Sequence, residues 1–209
     1  MKSIQLIKQV NNTELGKGGT HETYILVPQD LDVSDLFEEI GKEYSFKDKN
    51  SDKKYTIRLT WGREKRIVGM GPYYRDYDVL AGDRVLLEKN IQSNGEFNYY
   101  ISFQRSIDTA YFQKVKKHFE ALDSDKASAF VGMQFLSTDG DSVKIEYYGE
   151  IQKRKDSPIM TKVYDVIVEN QNIQENYQDR DMIALKLQDG KIQIKDVQPW
   201  AKYVIEVKK

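Results

Sequence analysis

Apolar and polar side chains alternate along most of this chain, a period of two that suits strands with one buried face. Ile4–Val10 alternates in this way, and Thr23–Val27 is β-branched and aromatic before it stops at Pro28. Lys54–Trp61, Lys65–Met70, Arg84–Glu88 and Phe97–Phe103 continue the pattern, which returns in Phe130–Leu136, Val143–Gln152, Met160–Val168, Met182–Leu187, Lys191–Val197 and Tyr203–Val207. Ser93-Asn94-Gly95, Asp139-Gly140 and Asp189-Gly190 have the chemistry of hairpin turns. Two stretches read as helices. Ser34 caps a short one over Asp35–Gly41, with Leu36, Phe37 and Ile40 on one face. Asp108 caps a longer one, in which Tyr111, Val115, Phe119 and Leu122 recur at helical spacing. The expected fold is mainly β with short helices (α+β): a β-rich unit over 1–104, a connecting helix over 105–124, and a second antiparallel β unit over 125–209.

Composition removes several functions. The 32 basic and 33 acidic residues leave a formal net charge of -1, so no basic coat covers the whole molecule. The absence of cysteine excludes disulfides, thiolate metal sites and thiol catalysis. Two histidines cannot supply a three-histidine site. No run approaches the ~20 apolar residues that span a bilayer, and the expectation is a soluble cytoplasmic protein with no membrane partner. In the glycine-rich loop Lys17 precedes the glycine pair and a strand follows, the reverse of a Walker phosphate loop. Asp141, Glu146, Glu150 and Lys153 share one expected hairpin, but Glu150-Ile151-Gln152-Lys153 lacks the acid-x-Lys spacing of a metal-dependent nuclease. No catalytic residue, metal ligand or cofactor is assigned.

Two segments stand out as binding candidates. The first is the polar loop Asn11–Glu22, too long for a tight hairpin, which offers Asn11, Asn12, Thr13, Lys17, Gly19, Thr20, His21 and Glu22. The second is Lys47–Arg66. Its eight cations against Asp48, Asp52 and Glu64 make a net of +5, leaving -6 on the remainder of a chain of net -1. Here Lys53, Lys54, Tyr55, Arg58, Thr60, Trp61, Arg63, Lys65 and Arg66 mix cations with hydrogen-bonding and flat side chains. Such a mixture suits a duplex groove, where cations hold phosphates and planar forks read base edges.

The run Gly16-Lys17-Gly18-Gly19-Thr20-His21-Glu22, leading into Tyr24-Ile25-Leu26-Val27-Pro28, resembles the N-terminal effector-binding domain of EcoRII-type restriction endonucleases. Arg58-Leu59-Thr60-Trp61-Gly62 and the Gly82-Asp83 turn before a leucine-rich strand are similar to later stretches of that family. The resemblance covers residues 1–104. It implies a seven-stranded open β pseudobarrel of the plant transcription-factor type, whose two arms grip the DNA major groove. In that case the two segments are the arms and double-stranded DNA is the partner. The chain is then the sequence-specific recognition part of a prokaryotic restriction-modification system, with cleavage supplied by a separate nuclease or translocase domain or subunit. Asn12 and Ser51-Asp52-Lys53-Lys54 depart from the family pattern, so its target sequence does not transfer. The alternatives are a β-rich protein-interaction module and, more weakly, a metal-dependent nuclease using the C-terminal carboxylates.

Overall fold

The computed structural model describes residues 1–17, 21–155 and 157–206. Strands hold 53% of the chain and helices 7%, which makes the protein mainly β. In chain order the elements are β1 (Lys2–Gln9), β2 (Tyr24–Val27), β3 (Glu43–Asp48), β4 (Lys54–Trp61), β5 (Lys65–Val68), α1 (Gly71–Asp76), β6 (Arg84–Ile91) and β7 (Phe97–Gln104). There follow β8 (Thr109–Val115), β9 (His118–Ala121), α2 (Ser124–Ser128), β10 (Gln134–Leu136), β11 (Ser142–Gln152), β12 (Met160–Val168), β13 (Gln171–Asn172), β14 (Met182–Gln188), β15 (Lys191–Val197) and β16 (Trp200–Glu206). No helix among the described residues is long and apolar enough to cross a membrane.

The chain divides into two compact units, and the C-terminal strand belongs to the first. That unit holds residues 1–105 and β16. Its sheet runs β16-β1-β6-β7-β3-β4-β5-β2, antiparallel except for the parallel pair β3–β7. Inward side chains from both halves of the curled sheet, including Ile4, Leu6, Ile25, Phe46, Ile57, Ile67, Leu87 and Ile101, form one apolar cluster. β3 alternates, with Tyr44, Phe46 and Asp48 turned in. The second unit, residues 106–199, runs β10-β11-β12-β9-β8-β14-β15. A bridge between Ser137 and Ile192 brings its first and last strands together, so this sheet closes on itself around Phe112, Phe119, Ile145, Val166 and Leu185.

Three expectations need correction. The helix over 105–124 is the antiparallel hairpin β8–β9, turned at Lys116 with φ 54°. Its inward positions are Ala110, Phe112 and Lys114, and a lysine in the buried phase hid the period of two. Lys114 is accommodated because its ammonium donates to the Gln174 carbonyl. The segment Asp35–Gly41 is a series of turns and bends rather than a helix, with Leu36 and Phe37 buried but Ile40 exposed. Asp32, not Ser34, supplies the side-chain oxygen there, accepting from the Ser34 amide at 2.9 Å. Finally, Tyr203–Val207 was expected in the second unit, whereas β16 pairs antiparallel with β1 from Lys2↔Glu206 to Lys8↔Trp200.

Candidate nucleic-acid interface

The first segment is built on β1 and β2. Glu14 organises it from inside: its carboxylate accepts from the amides of Asn11 at 3.1 Å and Leu26 at 3.0 Å and lies 3.3 Å from the Lys8 ammonium. Asn11 returns the interaction, its Oδ1 accepting from the Glu14 amide at 3.0 Å. This reciprocal Asn-x-x-Glu arrangement is the logic of a capping box, used here to pin a loop to a sheet. Burial pushes the Glu14 carboxyl above its ordinary value, against the opposing pull of Lys8 and the two amides. Asn12 and Thr13 are half-buried, and their carbonyls accept from the Lys17 and Gly16 amides. Lys17, His21 and Glu22 are exposed, with His21 in the left-handed region at φ 54°. Gly19 and Thr20, also expected to bind, lie outside the described residues.

The second segment is read by the phase of β4. Tyr55, Ile57 and Leu59 point into the core, while Lys54, Thr56 and Arg58 are exposed and Thr60 is half-exposed on the outer face. Across the ladder Lys54 faces Lys47, Thr56 faces Ser45, Arg58 faces Glu43, and Thr60 faces Arg66. Tyr55 therefore leaves the expected binding set. It is 6% exposed, its ring meets Tyr73 edge-on at 5.0 Å, and its hydroxyl donates to Asp76 at 2.7 Å. Lys65 leaves it too: it is 4% exposed, its ammonium donates to the Leu31 carbonyl at 2.6 Å and lies 4.7 Å from the Trp61 ring centre. Both occupy inward phases of their strands.

The remaining cations differ in how free they are. Arg66 lies over the Tyr24 ring at 4.2 Å and pairs with Glu64 at 2.7 Å and Glu22 at 2.9 Å. Lys53 pairs with Asp76 at 3.0 Å, and the hydrogen bonds from Tyr55 and Lys53 hold that carboxyl below its ordinary range. Arg58 reaches Glu43 only at 3.7 Å, with both side chains at least half exposed, a pair worth about 0–1 kcal/mol. Lys17, Lys54 and Arg63 have no ion-pair partner among the described residues. Trp61, half-exposed, stands beside Arg63 at the tip of the β4–β5 hairpin.

Sequence reasoning missed Glu14, Thr56 and Asp76. The Asn-x-x-Glu spacing was a usable signal for the first, and strict phase along β4 for the second. Asp76 carried no local signal, since its partners are more than twenty residues away. In the second unit the C-terminal carboxylates do not converge: Glu146 pairs with Lys144, and Lys153 with Glu120. No group of three or more His, Asp or Glu side chains among the described residues is arranged to hold a metal ion. His118 on β9 meets Asp165 at 2.6 Å and stacks on Tyr148 at 3.8 Å.

Comparison of the chain with protein-family models and with curated proteins returns no match.

Proposed function

We propose that the first unit recognises double-stranded DNA sequence-specifically, gripping the major groove with the Asn11–Glu22 loop and the outer face of β4 and β5. The observation that carries this reading is the adjacency of two segments far apart in sequence. The first loop runs directly into β2, β2 pairs with β5, and Glu22 meets Arg66 at 2.9 Å. The seven strands β1–β7 in one curled, mixed sheet support an open pseudobarrel of the EcoRII-type N-terminal domain, with β16 as an eighth strand on β1. In this reading Lys17, Lys53, Lys54 and Arg63 anchor phosphates, while Arg58, Thr60 and the loop's polar groups meet base edges. The protein serves a restriction-modification system, and cleavage comes from another domain or subunit.

A binding-site selection from random duplexes followed by a salt titration tests the reading. If Lys17, Lys53, Lys54 and Arg63 neutralise about four phosphates, log K should fall against log salt with a slope of about -3 to -4. Equal affinity for every duplex, or binding that ignores salt, would overturn it. One observation favours a second reading, a protein-interaction module: Lys47, Lys53, Arg58 and Arg66 each already face a carboxylate. Failure to select any duplex would favour that alternative.

A further inference from the structure

The sheet of the first unit ends in two strands, β2 and β16. The β2 end is closed by its own chain: the Tyr24 and Leu26 amides donate to the Glu14 carbonyl and carboxylate, each at 3.0 Å. The β16 end is open. β16 pairs with β1 on one side, and its other row of amide and carbonyl groups meets no strand among the described residues. Its register with β1 runs from Lys2↔Glu206 to Lys8↔Trp200 without a bulge, and the strand holds no proline. Tyr203, Val204 and Ile205 follow one another at 52%, 50% and 44% exposure, so apolar side chains stand on both faces of this edge. Proteins ordinarily blunt such an edge with proline, a bulge or a covering segment, because it templates a further strand.

The run Lys202-Tyr203-Val204-Ile205-Glu206 is self-complementary when it is paired antiparallel about Val204. Val204 then faces Val204 of a second copy, Tyr203 faces its Ile205, and Glu206 faces its Lys202. A shift of one residue in either direction sets Glu206 against Tyr203 or Lys202 against Ile205. Aromatic–β-branched pairs and opposite charges directly across a ladder are favourable, and like charges are not. The charges also fit beyond the two strands. Glu206 lies opposite Lys2 on β1, and Lys202 meets Asp35 at 2.8 Å. The joined sheets therefore carry one row of alternating sign, Lys2 and Glu206 followed by Lys202 and Asp35 of the second copy. Lys202 keeps Asp35 as its partner in that row.

We propose that β16 is a self-association edge, pairing antiparallel with β16 of a second copy about a two-fold axis at Val204. The contact is isologous, so each off-axis pair occurs twice. Its ladder is short for a permanent interface, and the dimer is accordingly reversible and concentration-dependent. The proposal does not rest on the DNA reading, and either can fail without the other.

Sedimentation equilibrium of the full chain over a concentration series tests the association, and placed cysteines test the register. The parent should move from monomer to dimer as concentration rises. Val204→Lys sets like charges against each other on the axis and should weaken the dimer about tenfold or more. Val204 is half-exposed, so this variant should keep the parent's unfolding temperature, which separates lost pairing from lost folding. The chain has no cysteine of its own. Val204→Cys therefore places a single thiol opposite its counterpart, within disulfide reach, and should give a covalent dimer with oxidised glutathione. Tyr203→Cys stands diagonal to its own counterpart, about 7–8 Å away, and should crosslink only when mixed with Ile205→Cys. A monomer at every concentration overturns the proposal and leaves a strand of a different protein as the occupant of the edge. A dimer that Val204→Lys leaves intact, or equal crosslinking by Val204→Cys and Tyr203→Cys alone, overturns it as well.

Discussion

At Glu14 burial outweighs the neighbouring lysine, and the sign of the resulting pH dependence follows. Its carboxyl is raised in the folded chain, so the protonated form is the one that folding favours. Its contribution to stability is complete below the ordinary value of 4.5 and is lost as pH rises through the raised folded value. Glu14→Gln copies the protonated form and should gain on the parent as pH rises from about 5 to 8, read as urea midpoints across that range. Glu14→Ala removes the acceptor for two amides and should cost roughly 1–3 kcal/mol for each. Arg58 and Lys65 separate surface from core in the same way. Arg58→Ala should lower affinity for a selected duplex by about 1–3 kcal/mol and leave a scrambled duplex nearly unaffected. Lys65→Ala should leave the salt slope unchanged and lower folding stability by about 1–3 kcal/mol, because its ammonium serves the Leu31 carbonyl rather than a phosphate. Parallel DNA titrations and denaturation curves on both variants check this pair of outcomes.

Among elements, the turn out of β5 is the tightest constraint on the candidate interface. Gly69 has φ +93°, and a Cβ there would sit 2.2 Å from the Thr56 carbonyl oxygen on β4. Gly69→Ala should therefore destabilise the protein by about 2–4 kcal/mol and disturb the outer face of β4, measurable as a lowered denaturation midpoint. The β8–β9 hairpin shows where periodicity misleads. Tyr111, Val115 and Phe119 fit a helical stripe only when the turn at Lys116 and the buried Lys114 are ignored. β4 shows the converse. Its alternation already separated Lys54, Thr56 and Arg58 from Tyr55, yet residue chemistry alone placed Tyr55 among the binding groups.

For the whole molecule, the return of β16 to β1 makes the second unit an insertion between β7 and the last strand of the first. Replacing residues 106–199 with a flexible Gly-Ser linker should leave the first unit folded and cooperative in thermal melts followed by circular dichroism. A chain ended at Arg105 lacks β16 and the Trp200 ring beside Lys8, and should melt lower by more than about 5 °C. The sequence by itself determined the mainly β class, most strand positions and the two segments of interest, because alternation, turn chemistry and charge clustering are local properties. Tertiary structure alone decided that Lys8, Lys65, Lys89 and Lys114 are buried, that Glu14 pins the first loop, and that β16 completes the first sheet. Each depends on a partner many residues away: Trp200 for Lys8, Leu26 for Glu14, Leu31 for Lys65, Glu38 for Lys89, Gln174 for Lys114, and β1 for β16. A charge's place inside or outside is set by whether a distant carbonyl or carboxylate meets it, and a strand's sheet by which distant edge it joins.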